Sequence, residues 1–184
     1  MGNQPEALKD IAYFRKLWTA MFTKPRRVAF ETPVLVNDYC VDCRFCCAPQ
    51  QEEEPFPMAL LDSQISARTP NDFYLLDEHT ACLDRRGCKA LGPVGCRLEH
   101  RLRPVACGLF PLVVVNSRLY LYRVCPASIF VPEGAMRAMA AEVRDWLDTL
   151  SAADIERISI TRRPEDLAEK YVDLALPVRG TATP

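Results

Sequence analysis

Long hydrophobic runs are missing from this chain of 184 residues. The stretch LFPLVVV falls far short of the roughly 20 apolar residues that cross a bilayer, so no membrane span is expected. The opening MGNQPEALKD has neither the basic stretch nor the apolar core of a secretory leader. Glu6 stands where N-myristoylation needs Ser or Thr. A net charge of −1 gives no pull toward nucleic acid or an anionic membrane. Glycine is scarce, at seven residues, and no G-x-G-x-x-G follows an expected strand, nor is there a P-loop. A phosphate cradle or a methionine-cofactor loop is therefore hard to place.

Hydrophobic residues make up 49% of the chain, enough to bury a core of its own. The fold need not rely on staples, as chains below about 70–80 residues often do. What stands out is nine cysteines and fifteen prolines. With no export signal, the chain is expected in the cytoplasm, where disulfides rarely persist. An odd cysteine count also leaves one thiol outside any set of bridges. Both points favour metal over disulfides.

The pattern predicts an α+β single domain over residues 1–176, with a flexible tail at 177–184. Ile11, Phe14, Trp18, Met21 and Phe22 recur at helical spacing and predict a helix over 5–23. RVAF and PVLV read as short strands, PQQEEEPFP as a solvated loop, and MALLDSQISAR as a short helix. From Cys82 to Pro111 the chain is broken by Gly87, Gly92, Pro93, Gly95, Pro104 and Gly108, so regular structure is not expected there. Thirty such residues inside a compact domain need something to order them. LVVVNSRLYLYRV reads as a β-hairpin turning at Asn116-Ser117. Met136, Met139, Ala140, Val143, Trp146, Leu147 and Leu150 form one apolar stripe of a helix over 133–150, read as core packing. PEDLAEKYVDLAL is expected to form a last helix. Helices at both ends would then surround an irregular, metal-ordered centre (40–126) and the hairpin.

The chemistry lies in the cysteines. CVDCRFCC places Cys40, Cys43, Cys46 and Cys47 within eight residues. A C-x-x-C turn lets both sulfurs face one metal ion while intervening amides point at the thiolates, a geometry that serves zinc and iron alike. C-x-x-C-x-x-C opens the bacterial ferredoxin run, whose last cysteine precedes a proline. Here the continuation is missing, although Cys125-Pro126 supplies a distant cysteine–proline pair. Neighbouring side chains in extended backbone point to opposite faces, so Cys46 and Cys47 would not easily serve the same ion. Eight ligands divide into two groups of four, and nine leave one spare. That arithmetic permits two four-coordinate sites, or one site plus buried structural thiols. Cys82 lies off the strongest spacing. The candidate ligands are Cys40, Cys43, Cys46, Cys47, Cys88, Cys96, Cys107 and Cys125.

All-sulfur ligation leaves zinc and iron–sulfur as the main choices. Structural zinc usually takes two tight pairs. This chain has one tight group and then single cysteines separated by five, seven, ten and seventeen residues. Scattered single ligands suit a polynuclear cluster wrapped by loops, so iron–sulfur is favoured, with zinc the alternative. Arg101 or Arg103 in RLRP could donate hydrogen bonds to a ligand sulfur and stabilise an anionic cluster. His100 is a weaker ligand candidate, and His79 weaker still.

CVDCRFCC, then GCKAL, then GCRLEHRLRPVACGLFP resemble the CxxCxxCC cysteine-cluster family of the YkgJ type, described as zinc- or iron-chelating proteins. The resemblance covers residues 40–126. It rests on Cys40, Cys43, Cys46, Cys47, Cys88, Cys96, Arg103, Pro104, Cys107, Phe110 and Pro111. Phe45 stands where the family often has Gly, and Cys82 is additional. The resemblance implies metal or cluster binding without implying a reaction. A related cluster occurs in flagellin lysine methylases, which makes a cluster-dependent, methyltransferase-like enzyme one further expectation. The radical-enzyme spacing C-x3-C-x2-C is absent, and the thioredoxin βαβ context for a thiol-redox protein is not found. A redox, electron-transfer or metal-handling role is the leading expectation, with a structural zinc module the alternative. A protein partner is left open; nucleic acid and membrane are not expected.

Overall fold

The structure is a computed structural model that describes residues 26–50, 55–93 and 95–179, together with Arg15 and Thr19. The helix expected over 5–23 lies outside the described residues apart from Arg15 and Thr19.

Helices and strands alternate in an α+β fold. Strands β1 (Val28–Glu31) and β2 (Val34–Asn37) form an antiparallel hairpin, as RVAF and PVLV predict. Helix α1 (Tyr39–Cys43) follows directly. Strands β3 (Phe56–Ala59), β4 (Tyr74–Leu75) and β5 (Thr80–Leu83) make one antiparallel sheet in the order β3-β5-β4, with α2 (Asp62–Ala67) between β3 and β4. MALLDSQISAR is thus part strand and part helix. Its helix begins where the Gln64 side chain reaches back to the Leu61 N–H at 3.0 Å.

Among the described residues from the end of β5 to Pro111 only short elements occur: the two-residue strands β6 (Leu91–Gly92) and β7 (Gly95–Cys96), a 3₁₀ turn at His100–Leu102, and α3 (Val105–Leu109). The Gly and Pro spacing accounts for that brevity. The one-turn helix α3 was not expected; Pro104 stands at its N-cap, where its fixed φ suits a helix entry.

Strands β8 (Leu112–Val115) and β9 (Arg118–Tyr122) form the expected hairpin. Asn116 and Ser117 have φ of 49° and 56°. Two successive left-handed residues make the tight turn whose twist matches its strands. Nδ2 of Asn116 donates to Arg162 O at 2.8 Å, and Ser159 Oγ accepts from Ser117 N at 2.8 Å, so a second segment clamps the turn.

Helix α4 (Pro126–Phe130) leads into the long helix α5 (Glu133–Leu147), then α6 (Ala152–Ile158) and α7 (Pro164–Ala168). The stripe on α5 is buried at Met136, Met139, Ala140, Val143 and Leu147. Ala140, Val143 and Leu147 pack with Leu112, Val114 and Leu119 of the hairpin and with Ile155 and Ile158 of α6, while Met136 and Met139 pack with Leu35, Tyr39 and Cys125. Helix α6 was not expected; its N-cap Ser151 accepts from Asp154 N at 3.0 Å.

The last helix is corrected. PEDLA is helical, but Tyr171–Pro177 is strand β10, antiparallel to β9 in a three-stranded sheet ordered β10-β9-β8. Leu174 is buried between exposed Asp173 and Ala175, the alternation of a half-buried strand. A register shift between Asp173 and Leu176, with Ala175 at φ 58°, reshapes the strand locally. Pairing with the open edge of β9 outweighs a helix propensity that the same residues also carry. Packed chain reaches beyond residue 176: Val178 is 3% exposed, and its N–H donates to Ser117 O at 2.9 Å.

Among the described residues no helix is long and apolar enough to cross a membrane.

Leu147 is fully buried in the main core. Leu147→Ala is expected to cost about 2–5 kcal/mol in a urea unfolding series. A cost under roughly 1 kcal/mol would mean that α5 is not seated as described.

Candidate metal centre

Two stretches far apart in sequence meet here. In the first, α1 carries Cys40 and Cys43 one turn apart. Arg44 then adopts φ 51°, a left-handed conformation that ends the helix and throws the chain into the 3₁₀ turn Phe45–Cys47. The turn closes with hydrogen bonds from Cys47 N and Ala48 N to Arg44 O at 3.0 and 3.1 Å. Gln50 holds its far side, with Nε2 donating to Ala48 O at 2.7 Å.

The second stretch is tied directly to this turn. Cys88 N donates to Cys47 O at 2.9 Å, and Gln50 N to Asp84 O at 3.0 Å. Gly87 makes the approach possible. Its φ is +77°, and a Cβ there would meet Cys47 O and Pro49 N at 3.0 Å. Cys96 lies on β7, against which α1 packs. Cys107 sits in α3, and its N–H donates to Pro104 O at 2.9 Å. Cys125 is the N-cap of α4, which packs on α1 with the Tyr39 and Phe130 rings stacked at 6.0 Å.

The electrostatics sort these thiols. Burial pushes the Cys40 thiol up to about 12, and Cys125 and Cys43 push in the same direction. Cys46 is raised by burial, then by Cys125, Cys43 and Cys40. Cys125 is raised by burial, against backbone N–H donors at Ala127 and Ser128, with Cys43 adding to the rise. Those four form one set. Cys47 is raised mainly by its hydrogen bond with Cys88, then by burial and Cys107. Cys88 is lowered by the same bond, assisted by the N–H groups of Ala90 and Leu91. Cys107 is raised to about 12 by burial, with Cys88 and Cys96 next. These four form a second set. The sets adjoin: Cys46 acts on Cys47, and Cys107 acts on Cys46. Adjacent Cys46 and Cys47 thus belong chiefly to different sets.

The ninth thiol stands apart. Cys82 lies on β5, 4% exposed, and burial, Asp84 and Arg86 are the influences on it, with no second cysteine among them. His100 is exposed and is acted on by burial, Arg103 and Glu31. His79 pairs with Glu78 at 3.0 Å. Of the two arginines, Arg101 is turned to Glu99 at 2.9 Å. Arg103 is half-buried, its Nε donates to Leu98 O at 3.1 Å, and its charge favours thiolates at Cys40, Cys88 and Cys107.

Two neighbours of the thiols had no signal in the sequence. Asn37 is 9% exposed; its Oδ1 accepts from Tyr39 N at 3.1 Å, and its side chain favours a thiolate at Cys125. Met58 Sδ lies 3.4 Å from Cys107 Sγ.

Among the described residues, no group of three or more His, Cys, Asp or Glu side chains is gathered as a ready site for one metal ion. The donor set nevertheless fits a cationic centre. It is all sulfur, and backbone N–H groups face Cys88 and Cys125. Neighbouring thiols raise one another, an effect that a bound cation reverses by drawing thiols into thiolates. Cys40, Cys43, Cys46 and Cys125 could hold one centre, and Cys47, Cys88, Cys96 and Cys107 another. Compared with protein-family models, with curated proteins and with solved structures, the chain matches none.

Gly87→Ala is expected to destabilise the protein by more than about 1 kcal/mol, since Ala at positive φ is strained and its Cβ abuts backbone. Thermal unfolding reads this directly, and an unchanged midpoint would show that the Cys47–Cys88 approach does not depend on Gly87.

Proposed function

We propose that the protein is a cysteine-cluster metalloprotein of the CxxCxxCC type that holds iron–sulfur centres through two sets of thiolates. The observation that carries this reading is that eight cysteines act on one another while Cys82 does not, the larger influences falling within two fours although Cys107 also acts on Cys46, Cys46 on Cys47 and Cys40 on Cys107. Spacing alone allowed such a division without requiring it. The polypeptide's part is to bring the thiols together, to bury Cys43 and Cys125 and partly cover most of the others, and to direct amide N–H groups and the Arg103 charge at the sulfurs. Hydrogen bonds and cationic charge near ligand sulfurs offset the negative charge of a thiolate cluster and tune its potential.

An iron–sulfur centre supplies one-electron redox chemistry. A role in electron transfer to a protein partner, or in metal handling, follows in a reducing cytoplasmic setting. A groove of about 530 Å³ lies beside α4 and β10, where apolar Leu121, Phe130, Met136 and Leu174 meet Arg123, Glu133 and Arg137.

Anaerobic purification followed by iron, zinc and acid-labile sulfide analysis tests the reading. About four iron and four sulfide per centre are expected. Zinc without sulfide would overturn the iron–sulfur reading and leave a structural zinc clasp. Cys43→Ser and Cys107→Ser, one from each set, are each expected to lose about half of the metal. Cys82→Ala is expected to keep it all. Wild-type metal content in Cys43→Ser or Cys107→Ser would remove that residue from the ligands, and full loss in Cys82→Ala would add Cys82 to them.

A further inference from the structure

Met58 is 2% exposed on β3, where it pairs with Ala81 of β5. It belongs to an apolar cluster with Leu60, Phe73, Ala81 and Leu83, against which Cys88 and Cys107 pack. The Cys107 thiol donates to the Met58 thioether at 3.4 Å. That contact differs in kind from those of Cys88 and Cys125. Cys88 faces the N–H groups of Ala90 and Leu91; Cys125 faces those of Ala127 and Ser128 together with Asn37. A thioether is a weak acceptor with no proton to donate. Once Cys107 is a thiolate, Met58 presents a lone pair and a hydrocarbon surface, and its bulk occupies the space a water or an amide would need.

We propose that Met58 is a positioning residue for the second set: the thioether beside Cys107 keeps hydrogen-bond donors away from that thiolate and so holds down the reduction potential of a centre bound there. The proposal rests on the reading of the eight cysteines as ligands. Reduction adds one electron to an already anionic thiolate cluster. Donors at sulfur stabilise that added charge, and their exclusion disfavours it. Met58 acts through Cys107 and through the dryness of the strand behind it, with no bond to the metal.

The test is a dye-mediated redox titration of the anaerobically purified holo-protein, with each centre's transition followed by absorption and paramagnetic resonance. Met58→Gln puts an amide donor of similar size beside Cys107. It is expected to raise one transition and leave the other in place, with iron content unchanged. Met58→Leu offers no donor and is expected to titrate like the wild type. If Met58→Gln does not fold, Met58→Ser supplies a hydroxyl and room for water, and the same transition is expected to rise. Unmoved transitions in an iron-loaded Met58→Gln or Met58→Ser protein overturn the proposal. So does an equal shift in Met58→Leu, which would trace the effect to packing. A wild type without iron overturns this proposal together with the cluster reading, whereas an iron-loaded wild type with unmoved variants overturns this one alone.

Discussion

Thiols crowded together resist ionisation, and that resistance is the constraint on which the middle of this protein turns. Each buried sulfur near another makes the next thiolate harder to form. Burial and neighbouring cysteines act together on Cys40, Cys46 and Cys107, and Arg103 opposes them only at Cys40 and Cys107. A bound cation would turn the mutual opposition into a shared attraction. On the proposed reading, metal uptake would release protons and order chain at the same time, because the proposed ligands span residues 40–125.

The rest of the fold is arranged so that this region need not stabilise itself alone. Helix α5 and the β8-β9-β10 sheet bury a conventional apolar core with Val143, Leu147, Leu112 and Leu119 wholly inside. A second cluster joins that core to the first set of thiols, packing Cys125 with Leu35, Tyr39, Met136 and Met139. A third places Cys88 and Cys107 against the β3-β5 strands. The thiols therefore sit at seams between apolar clusters, where short turns rather than long elements decide their positions. The 3₁₀ turn after Arg44 and the glycine at 87 are the tightest of these.

Local patterns were legible where one interaction dominates. The hairpin at Asn116-Ser117 follows from its turn residues and β-branched flanks, and α5 follows from an uninterrupted apolar stripe. The irregularity of 82–111 follows from its Gly and Pro spacing. The strand β10 was hidden because Leu174 and Leu176 fit a helical pattern as well as an alternating one; only the open edge of β9 decides between them. At the site, the tight spacing marked out Cys40 to Cys47, and extended-chain geometry suggested that Cys46 and Cys47 diverge. The two lie on a 3₁₀ turn rather than a strand, so that argument from extended chain does not apply to them. Assignment of Cys125 to the first four depends on the packing of α1 against α4, and that of Cys88 and Cys107 to the second on the Cys47–Cys88 approach and a shared apolar cluster, none of which spacing encodes; Cys96, on a strand that packs against α1, is grouped with the second by its action on Cys107. Asn37 and Met58 are ordinary residues in the sequence and acquire meaning only from what they face.

The division of ligands between two centres is tested most directly by anomalous scattering at the iron edge, from crystals grown without oxygen. Two separate peaks are predicted, one bonded by Cys40, Cys43, Cys46 and Cys125 and the other by Cys47, Cys88, Cys96 and Cys107. A single peak bonded by both Cys46 and Cys47, or a peak bonded by Cys82, would contradict it.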